Sequence, residues 1–225
     1  MQKKIQKLES VLQYTFTDTT LLLMAMTHSS YAHERLEDTR FYNERLEFLG
    51  DAVLELAVSR MLYMTMSEQE GDLSKTRASI VCEPSLAYVA RALDLGQFLR
   101  LSHGEEKNGG RERSSILSDF VEAIIGAIYL DGGYEPALSF IERELFTRLE
   151  EIHEHTGRDY KTDLQEKVQA QAETVRYDLI ETAGPPHNRR FTMQAVVADK
   201  VLGQGIGKTK KEAEQQAAKA ALEKL

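Results

Sequence analysis

The chain has 225 residues, a net charge of −8, 42% hydrophobic residues and 28% charged residues, which excludes a disordered polymer. No run of about 18 apolar residues is present to form a membrane-spanning helix, and the single cysteine, Cys82, excludes an intrachain disulfide. The N-terminal Met-Gln-Lys-Lys-Ile-Gln-Lys-Leu-Glu lacks the apolar centre of a secretion signal, so a cytoplasmic protein is expected.

Residues 1–150 read as helices. In Asn43–Met64 the residues Leu46, Leu49, Val53, Leu56 and Leu62 recur near helical spacing. Leu86–Leu95 and Ile116–Leu130 are further helices, and Gly71, Gly96, Gly104, Gly109–Gly110 and Gly132–Gly133 punctuate the pattern. The polar stretch His153–Arg158 reads as a hinged linker. Lys161–Ala172 is then a helix. Phe191, Met193, Ala195 and Val197 alternate with Thr192, Gln194 and Val196, the period of a strand. Gly184-Pro185-Pro186-His187-Asn188 and Asp199-Lys200 are turns, Val201 begins a short strand into a glycine-rich loop, and Lys210–Leu225 is an alanine-rich helix. The tail therefore runs helix, three strands, helix.

Charge divides the same way. Residues 1–157 carry 16 Lys and Arg against 26 Asp and Glu, a balance of −10, and residues 158–225 carry 12 against 10, a balance of +2. An acidic body binds a polyanion if the contact surface is locally basic and metal ions neutralise the carboxylates facing the phosphates.

Two pairs of carboxylates carry the chemistry. Glu47 and Asp51 are four apart and share one helical face, with Gly50 between them at a cost of roughly 1 kcal/mol relative to alanine. Asp119 and Glu122 are the only charged residues in Ile116–Leu130, a helix apolar on nearly every side and so buried. Ionised carboxylates there need a partner. No basic residue lies one turn away in that helix, and a hard divalent cation with oxygen ligands, Mg²⁺ or Mn²⁺, meets the need. The plainer alternatives are a solvated face for Glu47 and Asp51, with Glu44-Arg45 in surface ion pairs, and distant buried ion pairs for Asp119 and Glu122.

The stretch Asn43-Glu44-Arg45-Leu46-Glu47-Phe48-Leu49-Gly50-Asp51 resembles the signature of the ribonuclease III family. Thr27-His28-Ser29-Ser30-Tyr31, Gly71-Asp72-Leu73-Ser74-Lys75 with Arg77-Ala78, and Ile116–Glu122 leading to Leu130-Asp131-Gly132-Gly133 match in the same order. The resemblance implies an all-α endonuclease domain (1–152), a linker (153–158) and a small α+β double-stranded-RNA-binding domain of order α-β-β-β-α (159–225). It implies a homodimer that hydrolyses duplex RNA with Mg²⁺, for which Mn²⁺ can substitute, leaving 5′-phosphates and short 3′ overhangs. Position by position it makes Glu47, Asp119 and Glu122 metal ligands, Asp51 and Glu122 catalytic, and Glu44 and Glu70 supporting acids. Ser118 stands for a usual alanine and Phe120 is bulkier than in many relatives.

Gly203-Gln204-Gly205-Ile206-Gly207-Lys208-Thr209 nearly matches a nucleotide-binding loop, but the required first glycine is Leu202. A nucleotide cofactor is therefore not expected, nor is a membrane partner. The tail instead resembles a double-stranded-RNA-binding domain, through Tyr160–Glu166, Gly184–His187 with Phe191, and Lys208–Gln215. By that resemblance Gln165 and His187 reach minor grooves while Lys208, Lys210 and Lys211 meet phosphates. Lysines at a helix N-terminus add little to the helix itself, which favours an anionic partner there. Two other classes are weighed against the nuclease. A non-catalytic duplex binder is disfavoured because all four carboxylates are present, and a nucleotide hydrolase is disfavoured by the short loop.

Overall fold

A computed structural model of the chain describes residues 1–36, 40–156, 160–169, 173–185 and 189–225. Its two units, Met1–Thr156 and Gly157–Leu225, each enclose their own apolar core. No helix among the described residues is long and apolar enough to cross a membrane.

The first unit is helical: α1 (Gln2–Leu12), α2 (Thr19–Ala25), α3 (Ser29–Arg35), α4 (Glu44–Thr65), α5 (Glu70–Ile80), α6 (Glu83–Ala92), α7 (His103–Lys107), α8 (Ser114–Gly132), α9 (Tyr134–Glu144) and α10 (Leu149–Thr156). Helix α8 forms the centre. Ile116, Leu117, Phe120, Val121, Ala123, Ile124, Ile125, Ala127 and Ile128 are all buried, on every side of the helix. It ends where Gly133 takes φ +86°, a left-handed conformation that side chains rarely adopt. Asp131 then ties the end of α8 to the α1–α2 connection, accepting hydrogen bonds from the Tyr14 hydroxyl (2.7 Å) and the Thr17 and Asp18 amides (3.0 and 2.8 Å).

Several expectations need correction here. Gly71 and Gly104 do not interrupt helices; they lie in the first turns of α5 and α7. Residues 153–156, expected in a hinged linker, continue α10. Ile152, earlier in that helix, is buried in the core.

The second unit has α11 (Tyr160–Gln169), β1 (Val175–Ala183), β2 (Arg190–Val197), β3 (Lys200–Gly207) and α12 (Lys210–Leu222). The strands form one antiparallel sheet in the order β1-β2-β3, with Leu179, Met193 and Gly205 in register. Met193, Ala195 and Val197 face the helices beside Leu164, Val168 and the alanines of α12. The tight turn is Ala198-Asp199, at φ +46° and +58°, and Lys200 already belongs to β3.

The expected glycine-rich loop is itself strand β3. Added Cβ atoms at Gly203, Gly205 and Gly207 would fall 2.1, 2.2 and 2.5 Å from backbone atoms of Ala217, Ala217 and Ala213. These glycines let α12 lie directly on the sheet, so they serve packing and not a phosphate cradle.

Candidate active site

The site begins at the foot of α4. Arg100 and the Thr27 segment pair through His28 N–H to Arg100 O (3.1 Å) and Arg100 N–H to Met26 O (2.8 Å). The Arg100 guanidinium donates to Thr27 Oγ1 (2.8 Å) and lies 4.3 Å from the centre of the Tyr31 ring. Thr27 O in turn accepts from Asn43 N–H (2.9 Å), and the buried Asn43 offers its own carbonyl to the amides of Leu46 (2.8 Å) and Glu47 (2.9 Å). The Thr27–Tyr31 motif is thus a bracket from which α4 hangs. His28 is part of it: its Nδ1 accepts from Ser30 N–H (3.2 Å), and burial lowers its pKa. That is a local structural role at a helix junction.

Helices α4 and α8 then cross at two glycines. A Cβ on Gly50 would lie 1.8 Å from Glu122 O, and one on Gly126 would lie 2.2 Å from Leu46 O. Backbone meets backbone, and side chains beside the crossing are drawn together. Ligand oxygens of Glu47, Asp119 and Glu122 lie within 4.8 Å of one another, each residue half-buried.

Crowding has an electrostatic consequence. Burial first, then Asp119, Glu44 and Asp51, push Glu47 up to about 7. Burial first, then Asp51, Glu47 and Asp119, push Glu122 up to about 8. Asp119 is raised by burial and by Glu83. In each group burial is the larger cause, and neighbouring carboxylates add to it. Three hard oxygen donors in that state form the donor set of a small divalent cation.

The other expected residues sit differently. Asp51 is exposed, one turn beyond Glu47 and outside the group of three, although its charge acts on both glutamates. Glu44 is exposed beside the same cluster. Glu70 is not drawn in; exposed at the start of α5, it accepts from Ser74 Oγ (2.9 Å) within its own helix. Glu83, the first residue of α6, adds negative charge at Asp119 and was missed in the sequence, where nothing signals that α6 begins beside α8.

In the second unit Lys208, Lys210 and Lys211 are exposed together at the start of α12. Thr209 Oγ1 caps that helix by accepting from Glu212 N–H (3.1 Å), and the Glu212 carboxylate accepts from Lys208 N–H (2.8 Å). Gln165 is half-buried on α11. His187 lies outside the described residues.

A ribonuclease-III-like family model matches residues 18–149, and a double-stranded RNA binding motif matches residues 160–225. The chain belongs to the ribonuclease III family. It is 52% identical over 222 residues to Ribonuclease 3 of Caldanaerobacter subterraneus subsp. tengcongensis, covering 97% of this chain and 96% of that one. It is 48% identical over 223 residues to Ribonuclease 3 of Oceanobacillus iheyensis, covering 98% of each. A solved nuclease domain of ribonuclease III from Campylobacter jejuni, described for flexibility in a region involved in dimer formation, matches 64% of this chain and 96% of its own at a TM-score of 0.60 and 49% identity. Membership in the ribonuclease III family makes the chain an endoribonuclease that uses a divalent metal, and a cluster of three carboxylates, Glu47, Asp119 and Glu122, is present.

Proposed function

We propose that this chain is a Mg²⁺-dependent endonuclease of double-stranded RNA that leaves 5′-phosphates and short 3′ overhangs. The observation that carries the reading is the gathering of three carboxylates from two helices within 4.8 Å inside an otherwise apolar wall. A bound Mg²⁺ supplies an activated water and neutralises charge on the phosphate. Glu47, Asp119 and Glu122 would hold it. The exposed Asp51, outside that donor set, would take a proton from the attacking water while the leaving 3′ oxygen gains one from solvent; with Glu122 as a metal ligand, Asp51 and Glu122 are the catalytic pair that the resemblance implies. Glu44, exposed beside the cluster, serves as a supporting acid; the same role for Glu70 rests on the resemblance alone, since in one copy of the chain it is hydrogen-bonded to Ser74. Mn²⁺, with the same preference for oxygen and similar size, can replace Mg²⁺.

Residues 159–225 grip the duplex and residues 1–152 cut it, with 153–158 between them. Gln165 and His187 enter minor grooves, and Lys208, Lys210 and Lys211 contact phosphates, where the start of α12 adds its own free amides. The working form is a homodimer. Phe48 is 81% exposed and lines a groove of about 750 Å³ with Leu21, Met24, Leu46, Leu49 and Leu130, alongside the charged Arg40, Glu44 and Arg45. A two-fold contact lets each copy's groove take apolar surface from the other and sets two carboxylate clusters on one duplex. Precursors of ribosomal RNA and structured transcripts in the cytoplasm are the substrates.

The test is cleavage of a long duplex RNA across a Mg²⁺ series with both product ends mapped. Mg²⁺-dependent products with 5′-phosphates and staggered ends are the expected result. Metal-independent products, or ends bearing 3′-phosphate, would overturn the reading.

A further inference from the structure

The crossing of α4 and α8 has a consequence for metal choice. Gly126 lies one turn from Glu122 and two turns from Asp119 on α8, and its Cα faces Leu46 O, the residue before Glu47 on α4. The ligands therefore stand on either side of a contact whose width is set by the missing Cβ. Restoring that Cβ puts it 2.2 Å from Leu46 O, 3.1 Å from Leu46 C and 3.1 Å from Gly50 N, all of them backbone atoms. No side chain can swing away, so the helices must part by about 1 Å to reach an ordinary contact. Mg²⁺ binds oxygen at about 2.1 Å and Ca²⁺ at about 2.3 to 2.6 Å, a difference of up to about 1 Å across a site. The two lengths are of the same size.

We propose that Gly126 is a positioning residue: by holding α8 in backbone contact with α4 it fixes the span between Glu47 and the pair Asp119 and Glu122, and so makes the site select a small divalent cation over Ca²⁺. This rests on the metal site proposed above. Glycine is needed for spacing, and the cation that fits depends on that spacing.

The experiment is calorimetric titration of the full chain, free of RNA, with Mn²⁺ and with Ca²⁺, together with a thermal melt. Gly126→Ala is compared with Gly96→Ala, whose Cβ would lie 2.4 Å from Arg111 O at the 3-10 turn Leu95–Phe98. Both alanines insert a methyl against backbone, and only one of them does so at the crossing. The ratio of Ca²⁺ to Mn²⁺ dissociation constants is expected to fall about tenfold in Gly126→Ala and to stay at the wild-type value in Gly96→Ala. An unchanged ratio in Gly126→Ala, or an equal fall in both, overturns the proposal. If Gly126→Ala shows no cooperative melt, Glu47→Asp lengthens the same span from the side-chain end with the crossing intact. A fall in its ratio upholds the spacing argument and an unchanged ratio overturns it. Glu122→Gln separates the two levels. Cation binding that survives it intact removes the metal site itself, whereas binding lost in Glu122→Gln with an unaltered ratio in Gly126→Ala removes only the role of the glycine.

Discussion

Replacing Glu122 by glutamine should make the protein more stable and nearly inactive at once. In the folded chain Glu122 titrates near 8, against an ordinary 4.5, because it is half-buried among other carboxylates. The folded state is thus favoured while the group is protonated. That contribution is complete below pH 4.5 and is lost as pH rises through 8. At pH 7 the full shift corresponds to about 3 kcal/mol of destabilisation, and water reaching the half-exposed cluster reduces it to about 1–2 kcal/mol. Glutamine keeps the shape without the charge. In metal-free buffer at pH 7, Glu122→Gln should therefore raise the melting temperature of the nuclease unit by about 2–8 °C. At pH 5 the gap should shrink to within about 0.5 kcal/mol, since little of the wild-type penalty remains there. Divalent metal should reverse the order. At about a hundredfold its Kd it adds about 2.7 kcal/mol to the wild type and little to the variant. Cleavage by the variant should fall by at least about a hundredfold, a few kcal/mol of lost transition-state stabilisation. Scanning calorimetry of chelator-treated protein at the two pH values, repeated with Mn²⁺, gives every comparison. A variant that melts below wild type at pH 7 without metal, or a wild-type melting temperature that is flat from pH 5 to 8, refutes the electrostatic account.

Changing Lys210 and Lys211 to alanine should weaken duplex binding and flatten its salt dependence, since fewer counterions are released, while cleavage persists at low salt; filter binding across a salt series with single-turnover cleavage checks both. Phe48→Asp should shift the sedimentation of the chain from dimer to monomer at micromolar concentration, because a charge would then occupy the exposed apolar edge of the groove. Gly205→Ala should destabilise the second unit by about 3 kcal/mol, because its Cβ would fall 2.2 Å from Ala217 N; the first unit's melting transition should stay where it is while duplex binding is lost. Tyr14→Phe should cost about 1 kcal/mol, the hydrogen bond to Asp131, without altering cation binding.

Periodicity in the sequence located α4 and α8 because each obeys a local rule, and the two acids interrupting an apolar run marked the site on α8. The strand β2 was legible for the same reason, since its alternation is contained in its own residues. What stayed hidden is what depends on a second element. Gly203, Gly205 and Gly207 read as loop because glycine is a poor strand former, and only the alanines of α12 lying on them explain their presence. Residues 153–156 read as linker from composition alone, whereas the helix they continue is anchored earlier, through Ile152 in the core. Gly50 announced a close approach, but its partner, the carbonyl of Glu122, is 72 positions away, and Gly126 carried no signal of its own. Resemblance placed Glu70 with the acids; in a single copy of the chain it is occupied with Ser74 instead.

The packing of α12 on β3 also bears on how this chain can evolve. Ala213, Ala217 and Ala221 on the helix, and Gly203, Gly205 and Gly207 on the strand, leave no volume for a larger side chain on that face. Lys208, Lys210, Lys211 and Arg190 stand on the exposed side and have no part in that contact. If these cations contact phosphates as proposed, selection can retune the affinity of the tail for its polyanion, one charge at a time, without disturbing whether the tail folds. The same division makes the small-residue face nearly immutable, because drift there removes the module outright, whereas drift on the exposed side leaves its fold alone.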